Sequence, residues 1–248
     1  MRRLGPLVAL GVGAYLVFAL ITLPAKVVLT YFAPEDLKAA GVSGSAWHGR
    51  AQFVQYGVTN LGSLEWDVHP LSLLTGRLRA DVRLRRLDGF VEGELTLAPG
   101  NRVTLVDLTA ALPLSALPSN IAPGGWGGTV NAKLSRLALV EGWPVAAEGT
   151  VEAINLISAG QRAIEIGSYR ITFSPEQASE DTLAGTLNDI GGPLEVSGTL
   201  QLKPDRSYVV EGLIATRPDA PANVNQALQY LGPADAQGRR PFTFAGSI

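Results

Sequence analysis

Side-chain polarity alternates residue by residue between positions 77 and 85, and this period of two constrains the fold more than any other feature. Arginine or aspartate occupies every odd position, whereas the even positions are apolar: Leu78, Ala80, Val82 and Leu84. Successive side chains of a β-strand point to opposite faces, so the alternation predicts a strand with one polar and one apolar face. Strands buried on both faces would show continuous apolar runs instead. The alternation therefore favours an antiparallel sheet with one face exposed to water.

The same alternation recurs along the chain, each time after a glycine. Five further segments show it: 93–97, 128–134, 149–153, 198–202 and 212–215. Their irregular spacing predicts a β-meander and not a strict repeat. The 28 glycines and 16 prolines suit a fold with many turns, and glycines inside strands mark bulges and bends. We therefore predict a strongly curved antiparallel meander, and a half-tube or groove, a barrel and a sandwich all satisfy the pattern.

Three segments depart from the strand pattern. A short helix is predicted over residues 34–40, because Pro34 suits a first helical position and Gly41 a helix end. The proline-rich residues 112–125 form a connector with one helical turn at 114–117, dividing the β region into halves 42–112 and 126–248. Near the end, Val224, Leu228 and Leu231 predict a short amphipathic helix.

The last predicted strand covers residues 240–248. Its alternation places Phe242 and Phe244 on one face.

Residues 4–25 contain no Asp, Glu, Lys, Arg or His and predict a transmembrane anchor. These 22 residues would form a helix of about 33 Å, enough for a hydrocarbon core of about 30 Å. Bulky Leu23, two residues before Ala25, disfavours signal-peptide cleavage. Arg2 and Arg3 in a short leader favour a cytoplasmic N-terminus. The expected organisation is a leader and single-pass inner-membrane anchor over residues 1–32, followed by a periplasmic β-rich domain over residues 33–248.

Composition excludes several kinds of chemistry. The chain has no cysteine, two histidines and a formal charge of −2, which argues against thiolate sites and against nucleic acid as a partner. Phosphate-loop, nucleophile-elbow and zinc-hydrolase motifs are absent from the sequence. His48 and His69, with Asp67 nearby, could share a metal, but we favour two exposed histidines at turns. We expect a scaffold or binding protein that is not an enzyme and has no cofactor.

The densest charge cluster is formed by Arg77, Arg79, Arg83 and Arg85. Neighbouring like charges on one strand face are unfavourable unless an anion opposes them. One interpretation is pairing with Glu92 and Glu94 of the next predicted strand, together with protection of a sheet edge. The other is a docking surface for an acidic partner domain or for lipid head groups.

Two blocks and the tail resemble the type II secretion system protein N family. The first block is residues 41–51, which contain Trp47-His48-Gly49, and the second is residues 64–78, which contain Trp66, Pro70 and Gly76. The tail resemblance comprises residues 230–233, residues 238–242 and Gly246. The two tryptophan blocks also resemble the wider AsmA-like group of envelope proteins, whose β-sheets curl into grooves for lipid.

The resemblance implies an inner-membrane component of the machine that moves folded proteins from the periplasm across the outer membrane. Its implied partners are other secretion components: inner-membrane platform proteins, with the outer-membrane secretin as a further candidate. The family offers no catalytic residues, so Trp47, Gly49, Trp66, Pro70 and Gly76 are expected to be structural, with the aromatics covering the apolar face. The alternative function is an AsmA-like groove that holds lipid.

Overall fold

A computed structural model of the protein describes residues 4–32, 36–57, 59–117, 125–160, 164–177, 182–218 and 220–247. The chain forms two compact units, Met1–Leu87 (unit 1) and Asp88–Ile248 (unit 2). The described residues are mainly β, with fourteen strands and a few short helices.

Unit 1 begins with two helices and continues with five strands. Its helices are α1 (Leu4–Ile21), α2 (Ala25–Phe32) and the 3₁₀ helix η1 (Pro70–Thr75). Its strands are β1 (Leu37–Ala40), β2 (Ser43–Gly44), β3 (His48–Tyr56), β4 (Thr59–His69) and β5 (Leu78–Arg85). They pair antiparallel in the order β1-β3-β4-β5, and β2 pairs with the first residues of β3.

The described residues of unit 2 form nine strands and one α-helix. The strands are β6 (Phe90–Ala98), β7 (Arg102–Pro113), β8 (Gly127–Val140), β9 (Trp143–Ile157), β10 (Glu165–Phe173), β11 (Leu183–Gly191), β12 (Leu194–Leu202), β13 (Ser207–Thr216) and β14 (Arg240–Ser247). The helices are α3 (Ala222–Leu228) and the 3₁₀ segments η2 (Leu114–Ala116), η3 (Pro175–Gln177) and η4 (Gln229–Leu231). Each strand from β7 to β14 pairs antiparallel with the strand before it, which confirms the predicted meander.

Two glycines inside the strands, Gly93 and Gly128, lie at shifts of register, as predicted, whereas Gly185, Gly198 and Gly212 lie in regular register. The pairing of β6 with β7 shifts at Gly93, opposite Asp107, whose φ of 52° is left-handed. The pairing of β8 with β9 shifts at Gly128, where a Cβ atom would lie 2.8 Å from the carbonyl oxygen of Ile154. An extra residue on one strand bends that strand locally, and aspartate tolerates the left-handed conformation that the position requires.

The prediction of a helix over residues 34–40 is wrong for the part of this range that forms a described element. Residues 33–35 lie outside the described part, and Leu37–Ala40 is strand β1. Leu37 is paired with Tyr56 and Ala40 with Phe53. Four residues are too few for a stable isolated helix, whereas pairing with β3 satisfies their backbone hydrogen bonds at once.

The proline-rich connector contains the predicted helical turn but does not divide the structure. Helix η2 provides the turn at Leu114–Ala116, and residues 118–124 lie outside the described part. Strands β7 and β8, on either side of the connector, pair from Arg102 opposite Val140 to Pro113 opposite Thr129. The boundary between the compact units therefore falls at Leu87–Asp88 and not between residues 112 and 126.

Two hydrophobic clusters form the core of unit 2. The first gathers side chains from β7 to β11: Leu108, Leu134, Ala147, Phe173 and Leu183. In the second, Val224 and Leu228 of α3 pack with Leu194, Val196 and Phe242. The predicted amphipathic helix is thus confirmed, and its apolar stripe covers part of the sheet.

The prediction for the last strand is confirmed over its described residues. Strand β14 forms at Arg240–Ser247, and the rings of Phe242 and Phe244 lie 5.7 Å apart. Phe242 is buried at 8% exposure, whereas Phe244 remains 59% exposed.

Helix α1 occupies most of the predicted anchor. Within the part of the chain that the structure describes, no helix has both the length and the apolarity that crossing a membrane requires.

A polar network joins three segments of unit 2. The guanidinium of Arg217 forms an ion pair with the carboxylate of Asp189 and donates to the carbonyl oxygen of Gly192 at 2.7 Å. The hydroxyl of Tyr169 donates to the carbonyl oxygen of Ile166 at 2.6 Å. Burial, reinforced by the negative charge of Asp189, raises the pKa of Tyr169 to about 12.

We expect the stability of the protein to fall as pH rises from about 10 to about 12. Tyrosine ionises near pH 10 when unfolded, and Tyr169 keeps its proton to higher pH in the folded state. The folded state then binds more protons than the unfolded state, so the free energy of unfolding decreases over this interval.

Urea unfolding at a series of pH values would measure this slope. Tyr169→Phe should flatten it, whereas Tyr230→Phe, at a 91% exposed position, should leave it unchanged. An unaltered slope in Tyr169→Phe would contradict the assignment.

Candidate functional site

The predicted arginine cluster lies mainly on one face of β5. Arg79, Arg83 and Arg85 are exposed on the strand, while Ala80 on the opposite face is buried at 4% exposure. Arg77 is also exposed and lies just before the strand, after Gly76. The alternation read from the sequence is therefore present in the structure, and three of the four predicted site residues share one strand face.

The pairing register between β4 and β5 places residues of β4 directly opposite these arginines. Glu65 is paired with Arg83, and His69 is paired with Arg79. On the other side of β4, Glu65 is paired with Arg50 of β3. One acid therefore lies between two arginines across three strands, a favourable arrangement of opposite charges on neighbouring strands.

Two histidine–aspartate pairs lie in the same region. Nδ1 of His48 is 2.7 Å from Oδ1 of Asp67, and Nε2 of His69 is 3.0 Å from Oδ2 of Asp81. Asp67 and Asp81 are themselves cross-strand partners. Two carboxylates placed opposite each other repel, and the neighbouring imidazoles provide the hydrogen-bonding partners that offset this repulsion.

The two histidines that could have shared a metal belong instead to separate pairs. Among the residues that the structure describes, no three His, Asp or Glu side chains are grouped so that they could hold a metal ion.

These residues form one surface, which we call the charged face. It consists of His48 and Arg50 of β3, Glu65, Asp67 and His69 of β4, and Arg79, Asp81, Arg83 and Arg85 of β5. A shallow pocket of about 530 Å³ lies on it, lined chiefly by residues of β3, β4 and β5 together with Ser43 and Gly44. Arg50 donates from Nε to the hydroxyl of Ser43 at 3.2 Å, which orients its guanidinium over this pocket.

The sequence indicated the arginines and Asp81 of β5, but not that Glu65 and Asp67 lie opposite them. Residues 64–69 also alternate, with apolar Leu64, Trp66 and Val68 between the polar positions. This second alternating stretch, read as the partner strand of β5, is the signal that could have found Glu65 and Asp67.

The two tryptophans connect segments of unit 1 by hydrogen bonds. The indole of Trp47 donates to the carbonyl oxygen of Leu20 at 2.9 Å, and the indole of Trp66 donates to that of Ala46 at 3.1 Å. The Trp66 ring also covers Gly49, where a Cβ atom would lie 2.3 Å from the ring atom Cζ2. The expected structural role of these residues therefore includes tying α1 to the strands.

The family model and the relatives that match this chain all point to the same family. The model of the family described as type II secretion system (T2SS), protein N, matches residues 35–243. A relative named type II secretion system protein N from Aeromonas hydrophila is 27% identical over the whole of both chains. Relatives of the same name from Vibrio cholerae, 28% identical over 92% of each chain, and Klebsiella pneumoniae, 25% identical over 94% of this chain and 91% of the relative, also match. No solved structure matches significantly.

Gly49→Ala should destabilise unit 1. The added methyl group would overlap the Trp66 indole and approach the carbonyl oxygen of Ser45 at 2.9 Å, and overpacking of this kind costs about 1–3 kcal/mol. Thermal unfolding followed by tryptophan fluorescence would measure the loss. Gly127→Ala is the matched control, since its Cβ would be 3.5 Å from Ile157, an ordinary contact. Equal stability of the two variants would contradict this packing.

Proposed function

This chain belongs to the type II secretion system protein N family, and from that premise we propose its role. We propose that it acts as a non-enzymatic assembly component whose charged face docks an acidic partner. The family match over residues 35–243 and the relatives matched over 92–100% of their length make the chain a component of the type II secretion system. Membership also implies a location in the envelope that holds this system, with other secretion components as partners.

The distribution of charge on the charged face carries the docking proposal. Arg79, Arg83 and Arg85 extend along β5, whereas two of the three acids of this face, Glu65 and Asp67, lie on β4. Glu65 faces Arg83, and Arg85 faces the uncharged Ser63. The positive charge therefore increases towards Arg85, and exposed guanidinium groups are suited to bidentate contacts with carboxylates.

The proposed partners are inner-membrane platform proteins of the secretion system, with the outer-membrane secretin as the second candidate. An acidic segment of either would meet the arginines of β5. Complementary charge of this kind raises the association rate and selects against wrong partners.

We further propose that the chain is anchored in the inner membrane through residues 4–25, with its N-terminus in the cytoplasm and residues 33–248 in the periplasm. This topology is supported by the sequence: an uncharged apolar stretch follows Arg2 and Arg3.

A second candidate function is lipid binding on the apolar face of unit 2. The observation that favours it is incomplete burial: none of the ten residues of β13 is fully buried, and Leu134 is the one fully buried residue of β8. A sealed two-layer core would bury most of these side chains, because protein interiors are close-packed.

The docking proposal predicts that Arg79→Glu combined with Arg85→Glu, both exposed on β5, reduces partner binding several-fold. Arg83 is left unchanged, because it lies directly opposite Glu65 in the β4–β5 register. Crosslinking in intact envelopes, followed by identification of the adducts and assay of secretion, measures the effect. Arg102→Glu in unit 2, also at an exposed arginine, is the matched control. Unchanged adducts and secretion in the double variant would refute docking through these arginines.

The proposed topology predicts that a reporter active only in the periplasm gives a signal when it is fused after Ile248. A reporter active only in the cytoplasm, fused at the same position, should give none. The opposite result would reverse the orientation. Because the chain has no cysteine, a single introduced thiol labelled by an impermeant reagent provides an independent check.

The lipid alternative predicts that native mass spectrometry of the purified chain detects bound phospholipid. Val210→Arg, on the face that packs in the second core cluster, should remove the adduct. Val209→Arg, on the opposite face of β13, should retain it. Circular dichroism must show that both variants are folded. A folded parent chain that is free of lipid would eliminate this alternative.

A further inference from the structure

Helix η1 presents leucines to solvent at one end of unit 1. It joins β4 to β5, and Leu71, Leu73 and Leu74 are 79%, 43% and 85% exposed. Leaving side chains of this size in water is unfavourable relative to full burial. Single exposed apolar residues need no explanation, but a cluster on one short turn indicates a surface that contacts something apolar.

The conformation of η1 is fixed by local hydrogen bonds. The Ser72 hydroxyl donates to the carbonyl oxygen of His69 at 2.6 Å and accepts from the backbone N–H of Arg79 at 3.0 Å. Gly76 closes the helix in a left-handed conformation, with φ of 69°, and its N–H donates to the carbonyl oxygen of Leu73 at 3.0 Å. These contacts connect η1 to the ends of β4 and β5 while the leucines remain exposed, so the leucines form a fixed tip.

The C-terminal end of α1 lies at the same end of unit 1. The carbonyl oxygen of Leu20 accepts from the Trp47 indole, and that of Leu23 accepts from the Ala46 N–H at 2.7 Å. Trp47 in turn accepts from the N–H of Val68 at 2.6 Å, one residue before His69. A short series of hydrogen bonds thus runs from α1 through the start of β3 to the end of β4, where η1 begins.

Further exposed apolar side chains lie on the helix joined at this end. Phe18, Leu20 and Ile21 of α1 are 65%, 56% and 62% exposed. Two exposed basic residues flank the same region: Lys26, next to the buried Ala25 of α2, and Arg77, next to Gly76. The acids nearest to η1, Asp67 and Asp81, are each paired with a histidine.

We propose that this end of unit 1 rests on a phospholipid bilayer, with Leu71 and Leu74 inserted below the head groups and with Lys26 and Arg77 facing the lipid phosphates. The inference rests on the proposed membrane location of the chain. Apolar side chains of interfacial segments enter the boundary between head groups and acyl chains by about 5–10 Å, and basic side chains beside them reach the phosphates.

A bilayer fits this surface better than a protein does. A stable protein interface buries about 800 Å² on each partner, and a tip of three leucines on a six-residue turn is too small to supply most of that area. A bilayer requires no matching partner shape, and it accommodates the tip and the exposed residues of α1 together.

The test places a fluorophore at Leu74 in the full-length chain. Because the chain has no cysteine, Leu74→Cys can be labelled alone with an environment-sensitive dye and reconstituted into phosphatidylcholine vesicles that contain brominated lipid. Tyr56→Cys, at a 52% exposed position, is the control, because it lies about 26 Å along β3 from His48 at about 3.3 Å per residue. We expect loss of most of the emission at position 74 and no loss at position 56.

The outcomes separate this proposal from the membrane anchor. If the chain floats with the vesicles but the label at position 74 is not quenched, the bilayer contact is wrong and the anchor stands. If the chain does not float, both are wrong. Equal quenching at positions 74 and 56 would overturn the proposal, because the bilayer would then not select this end of unit 1. A blue shift at position 74 that depends on protein concentration, without quenching by brominated lipid, would identify a second copy of the chain and overturn the proposal.

Discussion

The requirement that each strand satisfy its backbone hydrogen bonds with the next strand in the chain organises the whole protein. From β6 to β14, pairing follows chain order without a crossover. Hairpin pairing of this kind needs only short connections, which explains the abundance of glycine and proline. It also fixes which residues share a face, because each register determines the alternation of the next strand. The apolar clusters of unit 2 and the charged face of unit 1 are both products of these registers.

The sequence predicted those parts of the fold that have a strong local pattern. The alternation around β5, the bulge glycines and the spacing of Val224 and Leu228 all describe one element at a time, and the structure contains each of them. Strand β1 could not be predicted in this way, since Leu37–Ala40 is too short to show a period. Its conformation is set by pairing with Phe53 and Tyr56, which lie more than a dozen residues away in the chain.

The candidate site shows the same division between local and distant information. The arginines were visible because they repeat within one strand. The position of Asp67 opposite Asp81, and of Glu65 between two arginines, depends on the registers of three strands. A shift of one residue in either register would move these acids to the other face of the sheet. The charge balance of the face is therefore a tertiary property that residue spacing alone does not determine.

The hydrogen bond from the Trp47 indole to the end of α1 has a mechanical consequence. Together with the hydrogen bond from Ala46 to Leu23, it restricts rotation of α1 relative to the strands of unit 1. A module on a flexible linker samples many orientations and loses that freedom on assembly, which weakens binding. A module that is held rigidly against its helix has already lost much of this orientational freedom before it binds. The charged face would then be presented at a nearly constant angle to α1. Under the proposed membrane anchoring, a partner in the same membrane would need to search mainly by lateral diffusion.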